Sequence, residues 1–181
     1  MEVKKINWPG LAGGLATLAL VIFSLSYASP WWHLTVGQQL GEANVSPLNF
    51  NFTLFGASMT PPIAWFLNIS CQLSLIASAV AMLISSFASN KEYSKNLINF
   101  AYKKPLIVII IFLIFLSIAI YIAGTLLKIN VPLSGSTTTT LDAGPATIDV
   151  PITTEFTWIF WLAIAAAILC IAAKLYHKKL H

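Results

Sequence analysis

The sequence predicts an all-α membrane fold: a four-transmembrane-helix bundle with a small extracellular antiparallel β-sheet drawn from loops 1 and 2. Three observations predict it. Hydrophobic residues make up 57% of the 181 residues and charged residues 9%, whereas ordinary soluble domains carry about 25% charged residues. The apolar residues are gathered into four long runs, and the segments between the first pair and the last pair of runs alternate apolar and polar residues with a period of two. That alternation marks half-buried strands. A chain of this length cannot enclose so much apolar surface in water, so the excess is expected to face lipid. Residues 1–181 are read as a single membrane domain.

The four runs cover about 8–29, 62–88, 105–127 and 155–176. Crossing about 30 Å of hydrocarbon takes about 20 helical residues at about 1.5 Å each, and every run reaches that length. Their central stretches hold no Asp, Glu, Lys, Arg or His. A cleaved leader ending near Ser26-Tyr27-Ala28 is the alternative for the first run, but the run is long for the apolar part of a leader. Outer loops are expected at 30–61 and 128–154, with a short cytoplasmic loop at 89–104.

Lysine placement orients these segments. Nine of the ten lysines, namely Lys4, Lys5, Lys91, Lys95, Lys103, Lys104, Lys174, Lys178 and Lys179, fall before the first run, between the second and third, or after the fourth. Lys128 is alone on the other side. Positive charge accumulates on the cytoplasmic side, so both termini are expected there in a multi-pass protein of the cell membrane. The net charge of +4 is therefore read as a membrane-surface signal, and no nucleic-acid partner is expected.

In the first outer loop, Leu48-Asn49-Phe50-Asn51-Phe52-Thr53-Leu54 and Trp32-His33-Leu34-Thr35-Val36 alternate. In the second, Ala146, Ile148, Val150 and Ile152 alternate with Thr147, Asp149 and Pro151. Pro151 cannot donate to a ladder, so that strand should lie at an edge or end nearby. Gly37, Gly41, Gly56, Gly135 and Gly144 supply turn positions. The expected sheet takes most strands from loop one and one from loop two, resting its apolar face on the helix ends, because isolated hairpins are marginal in water. Ser134 to Thr140, reading SGSTTTT, is expected to be a solvated loop tip. Asn44-Val45-Ser46 and Asn51-Phe52-Thr53 are glycosylation sequons on the outer side.

A Trp directly after the first helix, followed by a strand, is seen in Pro30-Trp31-Trp32-His33-Leu34-Thr35-Val36. With the order helix, stranded loop, helix, short loop, helix, single-strand loop, helix, it resembles the claudin and peripheral-myelin-protein superfamily. The resemblance implies a lateral scaffold presenting a small sheet outside the membrane. Loop one lacks the family's cysteine pair, so junction formation is not implied.

Chemistry inside a membrane calls for ionisable residues at depth, which are costly to insert and persist for function. Their absence argues against proton relays, coupled transport and carboxylate metal sites, and no catalytic residue or cofactor is expected. His33 is the only outer histidine and could join a metal site with Glu42 or Asp149; the plainer reading places His33 beside an interfacial aromatic belt of Trp31 and Trp32. His177 and His181 read as surface residues of a basic tail. Cys71 and Cys170 differ in depth by about 9 Å at about 1.5 Å per residue, beyond the reach of a disulfide. Gly10 and Gly14 form a GxxxG, Ser70, Ser74 and Ser78 mark the second run, and Ala163, Ala166 and Ala167 the fourth. Small residues at these spacings let helices approach closely. Asn68 and Gln72 are expected to bond within the bundle, and the third run, bulky all round, to face lipid.

These features lead to an expected non-catalytic interaction protein: an accessory or assembly subunit of a larger membrane complex, or a claudin-like scaffold, with the lipid bilayer and other membrane subunits as partners. The alternative is a small subunit of a membrane oxidoreductase contributing a quinone- or metal-binding surface. A pore is disfavoured by the unpolar spans. The lack of arginine and abundance of Ile and Lys hint at an archaeal source.

Overall fold

The computed structural model describes residues 6–25, 29–37, 40–59, 62–127, 129–143 and 146–180. Lys4, Lys5, Lys128, Gly144, His181 and the segment Ser26-Tyr27-Ala28 lie outside the described residues. The elements run in the order α1 (Trp8–Ser24), β1 (Trp32–Val36), β2 (Gly41–Val45), β3 (Phe50–Leu54), β4 (Ala57–Met59), α2 (Pro62–Phe87), α3 (Glu92–Ala101), α4 (Lys104–Leu127), β5 (Gly135–Ala143), β6 (Ala146–Phe156) and α5 (Trp158–Leu180). Pro9, Pro62 and Pro105 fall in the first turns of α1, α2 and α4, where a missing N–H removes no intrahelical bond.

Three helical stretches, in α2, in α3–α4 and in α5, are long and apolar enough to cross a membrane, and α1 is a shorter apolar helix of 17 residues. The middle loop is not a plain connection. It folds as α3, which buries Ser94, Ile98 and Ala101 on one face and exposes Lys91, Glu92 and Lys95. Hydroxyls fix it to α2: Ser94 Oγ donates to the Ser85 carbonyl at 3.0 Å, and Ser78 Oγ to that of Ala101 at 2.9 Å. The last helix starts at Trp158, because the strand before it runs on through Glu155 to Phe156. His177, expected at the surface, is buried.

α1 lies in the groove between α2 and α5, and its glycines explain how. A Cβ on Gly10 would sit 2.4 Å from Ser86 Oγ and one on Gly14 2.8 Å from Leu83 Cγ, both on α2, while one on Gly13 would sit 3.1 Å from the Cys170 backbone nitrogen of α5. Ala163, Ala166, Ala167 and Cys170 are buried on α5, and Ser78 on α2. Ser74 is half-buried, but Ser70 is exposed and turns its hydroxyl back to the Phe66 carbonyl at 2.9 Å. At 3.6 residues per turn, eight residues from Ser78 to Ser70 drift roughly 80° round the helix, which takes Ser70 off the packed face.

At one end of the bundle sits a six-stranded antiparallel sheet of order β4-β3-β2-β1-β6-β5. Loop two gives it two strands, not one. The SGSTTTT segment is not a loop tip: from Gly135 it forms most of β5, paired with β6 from Gly135↔Thr154 to Ala143↔Ala146. Registers Trp32↔Val45, Val45↔Phe50 and Trp32↔Phe156 put Trp32, Leu34, Ala43, Val45, Phe50, Phe52, Ile152 and Phe156 on one face, toward the helices. His33, Thr35, Glu42, Asn44, Asn51, Thr53, Thr153 and Glu155 occupy the other face. Pro151 sits where β1 has ended: its carbonyl accepts from Gly37 N at 2.7 Å. In an antiparallel strand the N and O of one residue point the same way, so the missing donor of Pro151 faces away from β5 and breaks no bond there.

Candidate functional site

Three side chains fasten the sheet to the bundle. Trp31 is fully buried; its Nε1 donates to Ser24 Oγ at 2.9 Å, and its ring meets Phe112 and Phe160 edge-on at 5.2 and 6.2 Å. Its backbone continues the tie, donating to Val45 O and accepting from Thr157 N. Gln72 Nε2 donates to the Leu48 carbonyl at 2.8 Å. With its amide turned to suit its neighbours, Asn68 donates to Pro47 O and Ala64 O and accepts from Phe50 N, at 3.2 to 3.3 Å. The polar pair on α2 thus holds the β2–β3 turn, and not another helix.

Beneath the sheet these ties leave a cavity of about 590 Å³. Its roof is the lower face of β1 to β3, with Trp32, Leu34, Val45, Phe50 and Phe52. Its walls are the sheet-proximal turns of α2, through Ala64, Leu67 and Cys71, and α4 from Ile111 to Ala123. The lining is apolar except for Asn68, Ser46, the weakly polar Cys71 thiol and the Trp32 indole N–H, which is bonded to Leu133 O. Asn68 and Ser46 are both spoken for, since Ser46 Oγ accepts from Asn49 N at 2.8 Å and donates to Asn49 O at 3.0 Å. The wall residues Leu67, Ile111 and Phe115 are also exposed at the surface, so the cavity opens sideways between α2 and α4. Sequence reasoning missed this cavity, because its walls are ordinary apolar residues whose convergence depends on the register of the sheet over the helices.

The polar face carries the candidate ligand residues. Asn44 Nδ2 donates to Glu42 Oε1 at 2.6 Å, and Asn44 Oδ1 lies 2.7 Å from His33 Nδ1, which requires the proton on Nδ1. His33 Nδ1 and Glu42 Oε1 are 3.8 Å apart. Across β1–β6 the residue opposite His33 is Glu155. Asp149 shares the face but lies six residues along β6, about 20 Å away at about 3.3 Å per residue. The structure therefore brings His33 and Glu42 together and leaves Asp149 apart. Among the described residues no three His, Cys, Asp or Glu gather as a metal group. Asn44, read from the sequence only as a sequon, is the link in this chain; Asn51 of the second sequon accepts from Ser58 Oγ at 2.6 Å. Trp31 and Trp32, expected in an interfacial belt, are enclosed: Trp32 Nε1 donates to Leu133 O at 2.8 Å. The outward tryptophans are Trp8, Trp65, Trp158 and Trp161.

The sheet ends on β5, nine residues long, with no strand on its far side among the described residues. Pro151 points away from β5, and opposite residues of an antiparallel pair point alike, so Thr138, its partner, directs its N–H to the uncovered edge. Ser136 and Thr140 do the same by parity. Beyond Ile152 the β5–β6 ribbon outruns β1 and exposes Ile148.

The chain matches no known family, no curated protein and no solved structure.

Proposed function

We propose that the chain is a non-catalytic subunit of a larger membrane complex, anchored by four crossings with both termini in the cytoplasm, and that it joins its partner through edge strand β5. The open nine-residue edge carries this reading. A long uncapped edge offers a row of unpaired backbone donors and acceptors, the template for strand addition by another chain, and the overhanging ribbon is too slight to be stable by itself. Every lysine among the described residues lies at the end of the bundle away from the sheet, on α3 or at its N-cap, on the first turn of α4 or just before it, or on the last turns of α5. That distribution supports a cytoplasmic assignment for that end and an external one for the sheet. The order of helices and stranded segments supports the claudin-like scaffold form of the same reading, with a second strand in loop two as the departure.

Copurification from native membranes in mild detergent tests the proposal. Thr138→Pro removes one outward donor without touching the β5–β6 ladder, so it should abolish recovery of the partner while monomer yield and circular dichroism stay unchanged. Thr138→Val, which keeps the donor, should retain it. Equal recovery with Thr138→Pro, or migration of the wild type as a lone monomer, would contradict the edge as the contact.

A further inference from the structure

We infer that the cavity under the sheet is a binding site for one hydrocarbon chain of a bilayer lipid. The inference rests on the membrane placement proposed above. A volume of about 590 Å³ falls in the range of about 300–1,000 Å³ typical of small-ligand sites. From Ala64 to Cys71 the α2 wall spans seven residues, about 10 Å at about 1.5 Å each, so the cavity reaches from the sheet into the helical layer.

Three observations select the occupant. First, the hydrogen-bonding side chains of the lining are already engaged, Asn68 and Ser46 with the β2–β3 turn and Trp32 with the Leu133 carbonyl, leaving only the weakly polar thiol of Cys71. Water would find too few partners there, since a buried water needs two to four, and a polar headgroup or quinone ring would find no donor. Second, the mouth between α2 and α4 is lined by the exposed residues Leu67, Ile111 and Phe115, so in a bilayer it opens onto acyl chains. Third, Phe50 and Phe52 of the roof close the end of the cleft. A partner helix lying in it would have to stop beneath them with its terminal amides or carbonyls unsatisfied. A hydrocarbon chain ends in a methyl group and carries no such groups. Left empty, the walls would forgo the dispersion contacts a packed interior makes.

The test uses the full chain in phosphatidylcholine vesicles doped with a phosphatidylcholine bearing a diazirine at one acyl-chain end. After irradiation, adducts are mapped by peptide mass spectrometry. Adducts are expected on the roof at Phe50 and Phe52 and on α4 at Ala119 to Ala123, besides general labelling of outward positions such as Trp161 and Ile114. Ala119→Trp should fill the cavity and remove the roof adducts while the Trp161 adducts persist; Ala123→Leu, a milder filling, should reduce them in the same direction. Labelling of Trp161 and Ile114 with an unlabelled roof would overturn the chain site while leaving the membrane reading intact. No adduct on any helix would overturn both. An unlabelled roof together with a crosslinked dimer would give the cavity to a second copy and equally overturn the proposal.

Discussion

Asn7 and Trp31 show how single polar atoms organise a largely apolar molecule. Asn7 is fully buried and serves three helices: its Oδ1 accepts from Gly10 N at 3.0 Å to cap α1, its Nδ2 donates to Ala173 O of α5 at 2.9 Å, and its backbone N donates to Ser86 O of α2 at 3.1 Å. An N-cap is worth about 0.5–2 kcal/mol, and a buried bond left unmade about 1–3 kcal/mol. Asn7→Ala should therefore lower unfolding stability in detergent by about 1–3 kcal/mol, and a loss no larger than that of an exposed substitution such as Tyr121→Phe would contradict the clamp. At the sheet end Trp31 does the corresponding work. Trp31→Phe keeps most of the packing but strands Ser24 Oγ, a cost of about 1–3 kcal/mol; Trp31→Ala also opens a cavity and should cost about 3–5 kcal/mol. Thermal unfolding of the two variants should separate them in that order, and equal losses would show that neither the bond nor the ring anchors the sheet. The sequence marked Trp31 by its place after the first helix. Nothing in the sequence marked Asn7, because its three partners come from positions 79 and more residues away in two of the three cases.

Among the elements, α1 is positioned by what its glycines leave out. A methyl on Gly13 would press against backbone atoms of α5, which cannot swing aside, whereas one on Gly10 meets the Ser86 hydroxyl, which can rotate. Gly13→Ala should cost about 1–3 kcal/mol as an overpacking change and more than Gly10→Ala, measured by unfolding in the same detergent; the reverse order would contradict the close α1–α5 approach. Helix periods were legible because an apolar run must have somewhere apolar to go. The alternating strands β1, β3 and most of β6 were legible because one face rests on the bundle. β5 was not: Thr137 to Thr140 have the branched side chains that favour strands, but a polar strand at a sheet edge buries no face and so leaves no period to read. α3 was hidden differently. Its ten residues carry only a narrow buried stripe, Ser94, Ile98 and Ala101, between lysines that read as a solvated connection.

Taken whole, the molecule is polar at its two ends in different ways. One end gathers lysines around α3, where Lys103, Lys104 and Lys174 lie over the rings of Tyr102 and Phe100 and Lys174 bonds Asn99. The other presents a sheet with no described lysine, whose polar face is built of Thr, Asn and Ser with Asp149, Glu155 and the His33–Asn44–Glu42 chain. Between them, α4 shows Ile110, Ile114, Phe115 and Ile118 outward, and an apolar girdle of this kind is stable only against lipid or an equally apolar partner. The sequence showed the charge asymmetry, but not the cavity or the open edge, which exist only once β1 to β3 close over α2 and α4. The reading of partner and lipid alike depends on the sheet standing outside the membrane. Labelling of intact cells with an impermeant maleimide tests this directly, using single-cysteine variants made in a Cys71→Ser, Cys170→Ala background. Thr140→Cys should react at once and Lys95→Cys only after permeabilisation; a reactive Lys95→Cys with a protected Thr140→Cys would contradict the account.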